Sequence, residues 1–207
     1  GGLSSAVSGA VVSKKSGRIS TYRTLIKDFF NVKQPLKYYL LILSFLIISF
    51  GAYFISGKIS ADVKWYSFLI VFSISILFGG IEEIGWRYTF QPTLEKYIPF
   101  EAASVTTFFC WGIWHVMYFV VDGSIGNISL IPFFIGLISS CFIMGAIYQL
   151  SQSLCLCVIY HSLLNAFSQI VVNDGNLTRN IIIALINIAL AILVVRISKI
   201  RANKLIM

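Results

Sequence analysis

Residues 65–88 read WYSFLIVFSISILFGGIEEIGWRY, an apolar run that ends in two adjacent acids and an arginine. A membrane-spanning helix needs about 20 mostly apolar residues, which this run supplies. Hydrophobic residues make up 57% of the 207-residue chain and charged residues only 12%, whereas soluble domains carry about 25% charged residues. This composition excludes a disordered chain, a soluble nucleic-acid binder and a secreted disulfide scaffold. It predicts an integral membrane protein whose first partner is the lipid bilayer.

Five further stretches have the length and apolar character of a span. We therefore predict an all-α fold, a polytopic transmembrane helical bundle with about six spans. The predicted spans are residues 37–55, 65–88, 102–120, 129–150, 153–172 and 180–197.

Basic residues flank this bundle on both sides and account for much of the net charge of +8. Basic residues favour the cytoplasmic side of a membrane, and an even number of spans returns the chain to the side where it began. Both termini are therefore predicted to be cytoplasmic. Residues 1–36 are predicted to form a basic cytoplasmic or interfacial segment, in which residues 21–30 suit an amphipathic interfacial helix. The transmembrane domain is predicted at 37–197 and a basic cytoplasmic tail at 198–207.

Two glutamates lie where lipid is expected, and their spacing predicts different roles. On a helix, Glu83 and Arg87 are i,i+4 neighbours and can form an ion pair. Glu82 lies about 100° away around the helix and remains as the carboxylate that could act as a base. The alternative is a surface ion pair at the cytoplasmic end of an ordinary helix.

Both histidines of the chain also lie inside predicted spans. His115 lies among aromatic residues in span three, where a satisfied core histidine is the alternative to a functional one. His161 and Asn165 share one face of span five at i,i+4 spacing. Their alternative role is a hydrogen-bonded pair that holds two helices together.

Together these groups supply what the hydrolysis of an amide needs. A carboxylate and a histidine can activate water, and a second histidine with an amide NH₂ can stabilise an oxyanion. Glu82, His115 and His161 could instead hold Zn²⁺, which would lower the pKa of a bound water. The chain lacks the HExxH sequence of zincins, so that type of zinc site is excluded.

At these residues the chain resembles the CPBP family of intramembrane proteases, which includes type II CAAX prenyl proteases and Abi or bacteriocin-immunity-type proteins. The family pattern is EExxxR, then an aromatic residue four positions before a histidine, then HxxxN. The matching segments here are residues 82–87, 111–115 and 161–165. The residues within these motifs resemble those of the bacterial branch most, and this resemblance implies that the protein lies in a bacterial cell membrane.

The resemblance implies an intramembrane endopeptidase with a cavity open to the cytoplasm and lipid, acting on a membrane-associated peptide or protein such as a prenylated one. It implies Glu82 as the water-activating base assisted by His115, and an oxyanion site of His161 and Asn165. Glu83 and Arg87 would support them. Both a zinc mechanism through Glu82, His115 and His161 and a metal-free glutamate mechanism are argued for the family.

The chain departs from the family in two ways. Family members usually carry glycine after the motif arginine, where this chain has Tyr88. They also commonly begin with an additional helical hairpin, which we expect this chain to lack.

The depths of the candidates in straight helices do not match. Glu82 would lie about 9 Å from the inner end of span two and His115 about 20 Å into span three, at about 1.5 Å per residue. We therefore predict either a later start of span three, near Thr106, or a kink at Gly79 and Gly80.

Two other functions fit the same residues. One is a non-catalytic membrane immunity or regulatory protein on the same scaffold, with the motifs serving as packing contacts. The other is a proton-coupled transporter that uses Glu82 and His161 as relay groups, although we see neither broken paired helices nor inverted halves.

Overall fold

The computed structural model describes residues 2–60, 64–172 and 175–204. All regular elements of these residues are helical. The ten α-helices are α1 (Gly2–Lys15), α2 (Tyr22–Phe29), α3 (Leu36–Ile55), α4 (Trp65–Phe78), α5 (Glu83–Gly85), α6 (Gln91–Leu94), α7 (Phe100–Val121), α8 (Leu130–Ser151), α9 (Leu154–Ile170) and α10 (Leu177–Lys204). The all-α polytopic bundle expected from the sequence is confirmed.

Five of the predicted spans correspond to helices that are long and apolar enough to cross a membrane. These spans are Leu36–Ile55, Tyr66–Leu94, Phe100–Val121, Leu130–Ser151 and Leu177–Arg201. The sixth prediction corresponds to α9, an apolar helix of 17 residues that is shorter than the others. The chain is thus an integral membrane protein with five long spans and one shorter apolar helix among its described residues.

Span two is the irregular one. Its regular helix α4 ends at Phe78, and Gly79 caps it. A 3₁₀ turn follows at Gly80–Glu82, then α5, a π-helical turn at Trp86–Phe90, and α6. Because α7 already begins at Phe100, span three does not start late. The prediction of a break at Gly79 and Gly80 is therefore confirmed, and π-helical turns of this kind occur frequently at functional sites.

The core centres on α8, which packs against α7 and α10, while α9 packs against α4. In its most apolar window 56% of α8 is buried, against 22–33% for the other four long spans, so α8 is the central helix. The largest apolar side chains of the core with less than 2% exposure are Phe45, Phe100, Trp111, Ile143, Met144, Ile147, Leu154 and Leu156.

The predicted basic N-terminal segment contains two helices. The amphipathic helix expected at residues 21–30 is present as α2, whose first turn is capped by Thr21. The helix α1 packs against residues 80–90 of span two. A stripe of small residues on α1 makes this contact close, since a Cβ atom at Gly9 would lie 2.6 Å from the Gly85 Cα. The boundaries at residues 36 and 197 remain predictions.

Basic residues from the N-terminal segment and from the C-terminal part of α10 lie at the same end of the bundle. Arg18 donates a hydrogen bond to the Tyr148 hydroxyl near the end of α8. Arg196 of α10 pairs with Glu101 in the first turn of α7, at 2.8 Å. Since α7 and α8 are antiparallel neighbours joined by a short loop, these two contacts mark one end, which we call the basic end.

Tyr88, which replaces the expected glycine, also lies at the basic end. Its hydroxyl donates to Asp28 Oδ2 at 2.7 Å, and the Arg18 guanidinium lies 4.7 Å from its ring centroid. The tyrosine therefore links span two to the segment around α2.

Candidate active site

Glu82 is buried at the 3₁₀ turn of span two, with 5% of its surface exposed. Trp111 Nε1 of α7 donates a hydrogen bond to Glu82 Oε2 at 2.9 Å. On the other side α1 covers the turn. Ser5 Oγ donates to the Glu82 main-chain oxygen at 3.1 Å, and a Cβ atom at Gly2 would lie 3.0 Å from Glu82 Cγ. The carboxylate is thus held between two helices.

Glu83 is fully buried and binds two partners. The expected ion pair with Arg87 is present, with 3.3 Å between Arg87 Nη1 and Glu83 Oε2 and no exposure of either side chain. In addition, His161 Nδ1 lies 2.7 Å from Glu83 Oε1. The ion pair connects neighbouring helical turns, whereas the histidine contact connects span two to α9.

α9 reaches span two where Gly79 interrupts the helix. A Cβ atom at Gly79 would lie 2.6 Å from Asn165 Nδ2 and 3.2 Å from His161 Nε2. The absence of a side chain therefore lets both polar groups approach the backbone. The next glycine has a similar effect, since a Cβ atom at Gly80 would lie 2.7 Å from Val158 Cγ1. His161 and Asn165 therefore both contact the backbone of span two at Gly79, three residues before Glu82.

His115 is half-buried on α7, one turn after Trp111. Its Nδ1 lies 2.9 Å from the Trp111 main-chain oxygen. Because a carbonyl oxygen only accepts, Nδ1 must carry the hydrogen, and Nε2 of the neutral ring keeps a lone pair. Its ring centroid lies 5.1 Å from that of Phe133 and 5.0 Å from that of Trp114.

Trp111 joins the candidates but was not among the residues predicted for the site. Its ring lies 5.1 Å from that of His115 and 5.6 Å from that of His161. The Arg87 guanidinium lies 4.3 Å from its centroid, a cation–π contact. The available signal was the aromatic position four residues before His115, because i,i+4 side chains share a helix face.

A cavity of about 460 Å³ adjoins this cluster and is lined by Trp111, His115, His161 and Asn165. Glu82 is not among the described residues that line the cavity. Its carboxylate accepts a hydrogen bond from Trp111, which does line it. The lining continues to Asn127 and Val171, at the end of the bundle away from the basic end. The resemblance implied an opening on the cytoplasmic, basic side, so the position of this cavity differs from that expectation.

The zinc alternative needs three converging ligands. Within the described ranges, no three His, Cys, Asp or Glu side chains are placed to hold a metal ion. The proposed ligands Glu82, His115 and His161 therefore do not fit a zinc site in this arrangement.

The fold and the cluster define a membrane-embedded helical protein with a buried carboxylate, imidazole and amide site. The family model described as type II CAAX prenyl endopeptidase Rce1-like matches residues 63–167. The match covers half of the chain and contains Glu82, Glu83, Arg87, the helix α7 and the part of α9 that carries His161 and Asn165. The chain belongs to this family. The search of curated proteins found no match.

Proposed function

We propose that the chain is an intramembrane endopeptidase that hydrolyses a peptide bond of a membrane-associated or prenyl-type substrate with water activated by Glu82. The observation that supports this most directly is the approach of His161 Nε2 and Asn165 Nδ2 to Gly79, three residues before Glu82. The family membership supports the same class of reaction.

In the proposed reaction, the Glu82 carboxylate takes a proton from water, and the water oxygen attacks the substrate carbonyl carbon. The lone pair on His115 Nε2 accepts a hydrogen bond that orients this water. The tetrahedral intermediate carries an oxyanion, which needs donors in a water-poor site. When the C–N bond breaks, the Glu82 carboxyl returns its proton to the leaving amine.

Asn165 and His161 supply the oxyanion donors. The amide Nδ2 of Asn165 donates as it stands. His161 can donate from Nε2, and the contact of Nδ1 with Glu83 Oε1 at 2.7 Å fixes the orientation of the ring. Glu83 thus acts as a positioning residue through His161, while Arg87 balances its charge.

We propose that the reaction proceeds without a metal. The placement of Glu82, His115 and His161 favours a carboxylate base over three ligands around one ion. Metal chelation by EDTA or 1,10-phenanthroline should leave the rate within twofold, and activity restored only by added Zn²⁺ would contradict this.

The proposed function is tested by cleavage of a farnesylated peptide ending in a CAAX sequence, with the protein in proteoliposomes. Glu82→Gln should lower the rate by about 10²–10⁴-fold, the range that a general base contributes. Glu101→Gln, in the exposed pair with Arg196, is the matched control and should keep the wild-type rate. Equal cleavage by wild type and Glu82→Gln would exclude this mechanism.

We also propose that the protein lies in a bacterial cell membrane with the basic end in the cytoplasm. The shared position of Arg18 and Arg196 at one end supports this orientation. A fluorescent protein fused after residue 207 should fold and fluoresce in bacterial cells, whereas an alkaline phosphatase fusion there should be inactive.

A further inference from the structure

The cavity has a second group of polar side chains, on the wall formed by α3, α9 and α10. Ser49, Tyr160 and Asn187 line it together with His115, His161 and Asn165. None of the three belongs to the sequence motifs. Polar side chains in apolar membrane helices are costly unless they are paired or serve a ligand.

The hydrogen bonding of this group is incomplete. Asn187 Nδ2 donates to Ser49 Oγ at 3.1 Å. Asn187 Oδ1 has no partner, although only 1% of the residue is exposed. The Tyr160 hydroxyl is fully buried and faces Ser49 Oγ, which already accepts from Asn187, and among the described residues no contact gives this hydroxyl a hydrogen bond of good distance and angle. Turning the Asn187 amide would exchange its two ends, and one end would still be open.

Helix-to-helix contact alone does not account for these open groups. A neighbouring pair shows what such contact looks like, since the Tyr53 hydroxyl donates to Asn180 Oδ1 at 2.6 Å. That pair also joins α3 to α10 and also lines the cavity, but its hydroxyl and carbonyl satisfy each other. Asn187 and Tyr160 instead leave one acceptor and one hydroxyl available.

The open groups lie deep in the cavity and near the candidate oxyanion site. Asn187 lies two helical turns after Asn180 on α10. This places it about 10 Å farther than Asn180 from the end of the cavity that is lined by Asn127. Tyr160 directly precedes His161 on α9. These two polar groups therefore lie inside the cavity, one on α10 and the other on α9, the helix that carries His161 and Asn165.

We propose that Tyr160 and Asn187 form a subsite for one main-chain amide of the substrate, an inference that rests on the proposed function. The open carbonyl of Asn187 accepts from a peptide N–H, and the Tyr160 hydroxyl donates to the adjacent carbonyl. A prenyl chain offers neither group. The subsite therefore recognises the peptide part of a lipid-modified peptide and sets its position relative to His161 and Asn165.

The test measures binding rather than turnover, using protein that carries Glu82→Gln in detergent micelles. The probe is a dansylated, farnesylated CAAX peptide, and a set of esters replaces each of its last three amides in turn. Adding Tyr160→Phe or Asn187→Leu should weaken peptide binding about tenfold, the loss of one hydrogen bond. Tyr53→Phe is the matched control and should change binding less than twofold.

One of the esters should bind the Glu82→Gln parent about tenfold more weakly than the amide peptide does. The same ester and the amide peptide should bind the Glu82→Gln/Asn187→Leu protein equally. The reason is that the ester and Asn187→Leu each remove the same hydrogen bond, from the peptide N–H to Asn187 Oδ1. Farnesyl cysteine methyl ester, which lacks the peptide, should bind all variants equally. If Asn187→Leu does not fold, Tyr160→Phe still decides the question, since it removes a single hydroxyl that has no well-formed hydrogen bond and leaves the ring in place.

The possible results separate this subsite from the proposed function. Unchanged peptide affinity in Tyr160→Phe and Asn187→Leu would overturn the subsite and leave the endopeptidase intact. The expected loss of affinity, with no cleavage by wild type, would support the subsite as a peptide-binding site and overturn the endopeptidase. Absence of peptide binding to the Glu82→Gln parent would overturn the subsite, and wild-type cleavage would then be judged separately.

Discussion

His161 Nδ1 lies 2.7 Å from Oε1 of Glu83, so the second glutamate of the adjacent pair binds the histidine of α9. The first, Glu82, accepts from Trp111 Nε1 at 2.9 Å. One residue step turns a helical side chain by about 100°, which directs the two carboxylates to different helices. Glu83 thus pairs with Arg87 and His161, while Glu82, the carboxylate proposed as the base, is bound by Trp111 instead.

Trp111→Phe should lower the rate constant for cleavage of the farnesylated CAAX peptide by about 10–100-fold. The ring and its packing remain, but Glu82 loses a hydrogen bond of the kind worth about 1.5–3 kcal/mol to a charged group. The measurement is kcat in proteoliposomes with thermal unfolding as a check on folding. Trp114→Phe is the control, because the Trp114 N–H contacts Ser4 and not the carboxylate. Equal losses in the two variants would contradict a role for this hydrogen bond.

Glu83→Gln should destabilise the fold by about 3–5 kcal/mol, because it leaves the Arg87 guanidinium buried without a countercharge. Thermal unfolding in detergent measures this loss. Glu101→Gln removes the acid of an exposed pair, in which 68% of the Arg196 side chain is accessible, and should cost at most about 1 kcal/mol. The double variant Glu83→Gln/Arg87→Met should regain stability without regaining cleavage. A fully active double variant would show that Glu83 does not support His161.

Gly79→Ala should reduce cleavage more than tenfold while the protein still folds. The new Cβ atom would lie 2.6 Å from Asn165 Nδ2 and displace that donor from its position. Gly136→Ala in α8 is the control, since no heavy atom lies within 4 Å of its Cβ position. It should be neutral or slightly stabilising, because alanine favours a helix by about 1 kcal/mol over glycine. A wild-type rate for Gly79→Ala would place the oxyanion site elsewhere.

Gly85→Ala should separate α1 from span two. Its Cβ atom would lie 2.6 Å from the Ser5 main-chain oxygen, which cannot rotate away as a side chain could. Maleimide labelling of Ala6→Cys, which replaces a residue only 4% exposed, should rise in a background without the native cysteines. Gly51→Ala, whose nearest contact is 3.8 Å away, should leave labelling low. High labelling in both variants would mean that α1 is not held by this contact.

The free energy of unfolding should fall as the pH rises from about 4.5 to about 7, because the carboxyl group of Glu95 loses its proton. Burial raises the pKa of this carboxyl to about 7 from 4.5, and the hydrogen bond from Gln91 opposes the rise. A pKa raised by folding means that the folded state binds the proton more tightly. Its contribution is therefore present below the unfolded pKa and is lost as the pH passes the folded one. Thermal unfolding between pH 4 and 8 should show this slope in the wild type and a flatter profile in Glu95→Gln. Parallel profiles would exclude Glu95 as the cause.

The sequence by itself determined the membrane bundle, because burying so many apolar side chains with so few charges is favourable only in lipid. It also determined the relationships within single helices. Glu83 with Arg87 follows from the helical repeat, and so does the shared face of His161 and Asn165. Straight helices would have left Glu82 and His115 at different depths, so the sequence required either a break at Gly79 and Gly80 or a later start of span three, and the structure decided for the break.

Only the tertiary structure decided which helices meet. The Trp111 hydrogen bond to Glu82, the His161 contact with Glu83 and the docking of α1 all join residues on different elements. Nothing local favours one of these contacts over another, because helices apolar on all sides carry little record of which face turns inward. Orientation is set by close packing at small residues such as Gly9 and Gly85, and by the need of each buried polar group for a partner.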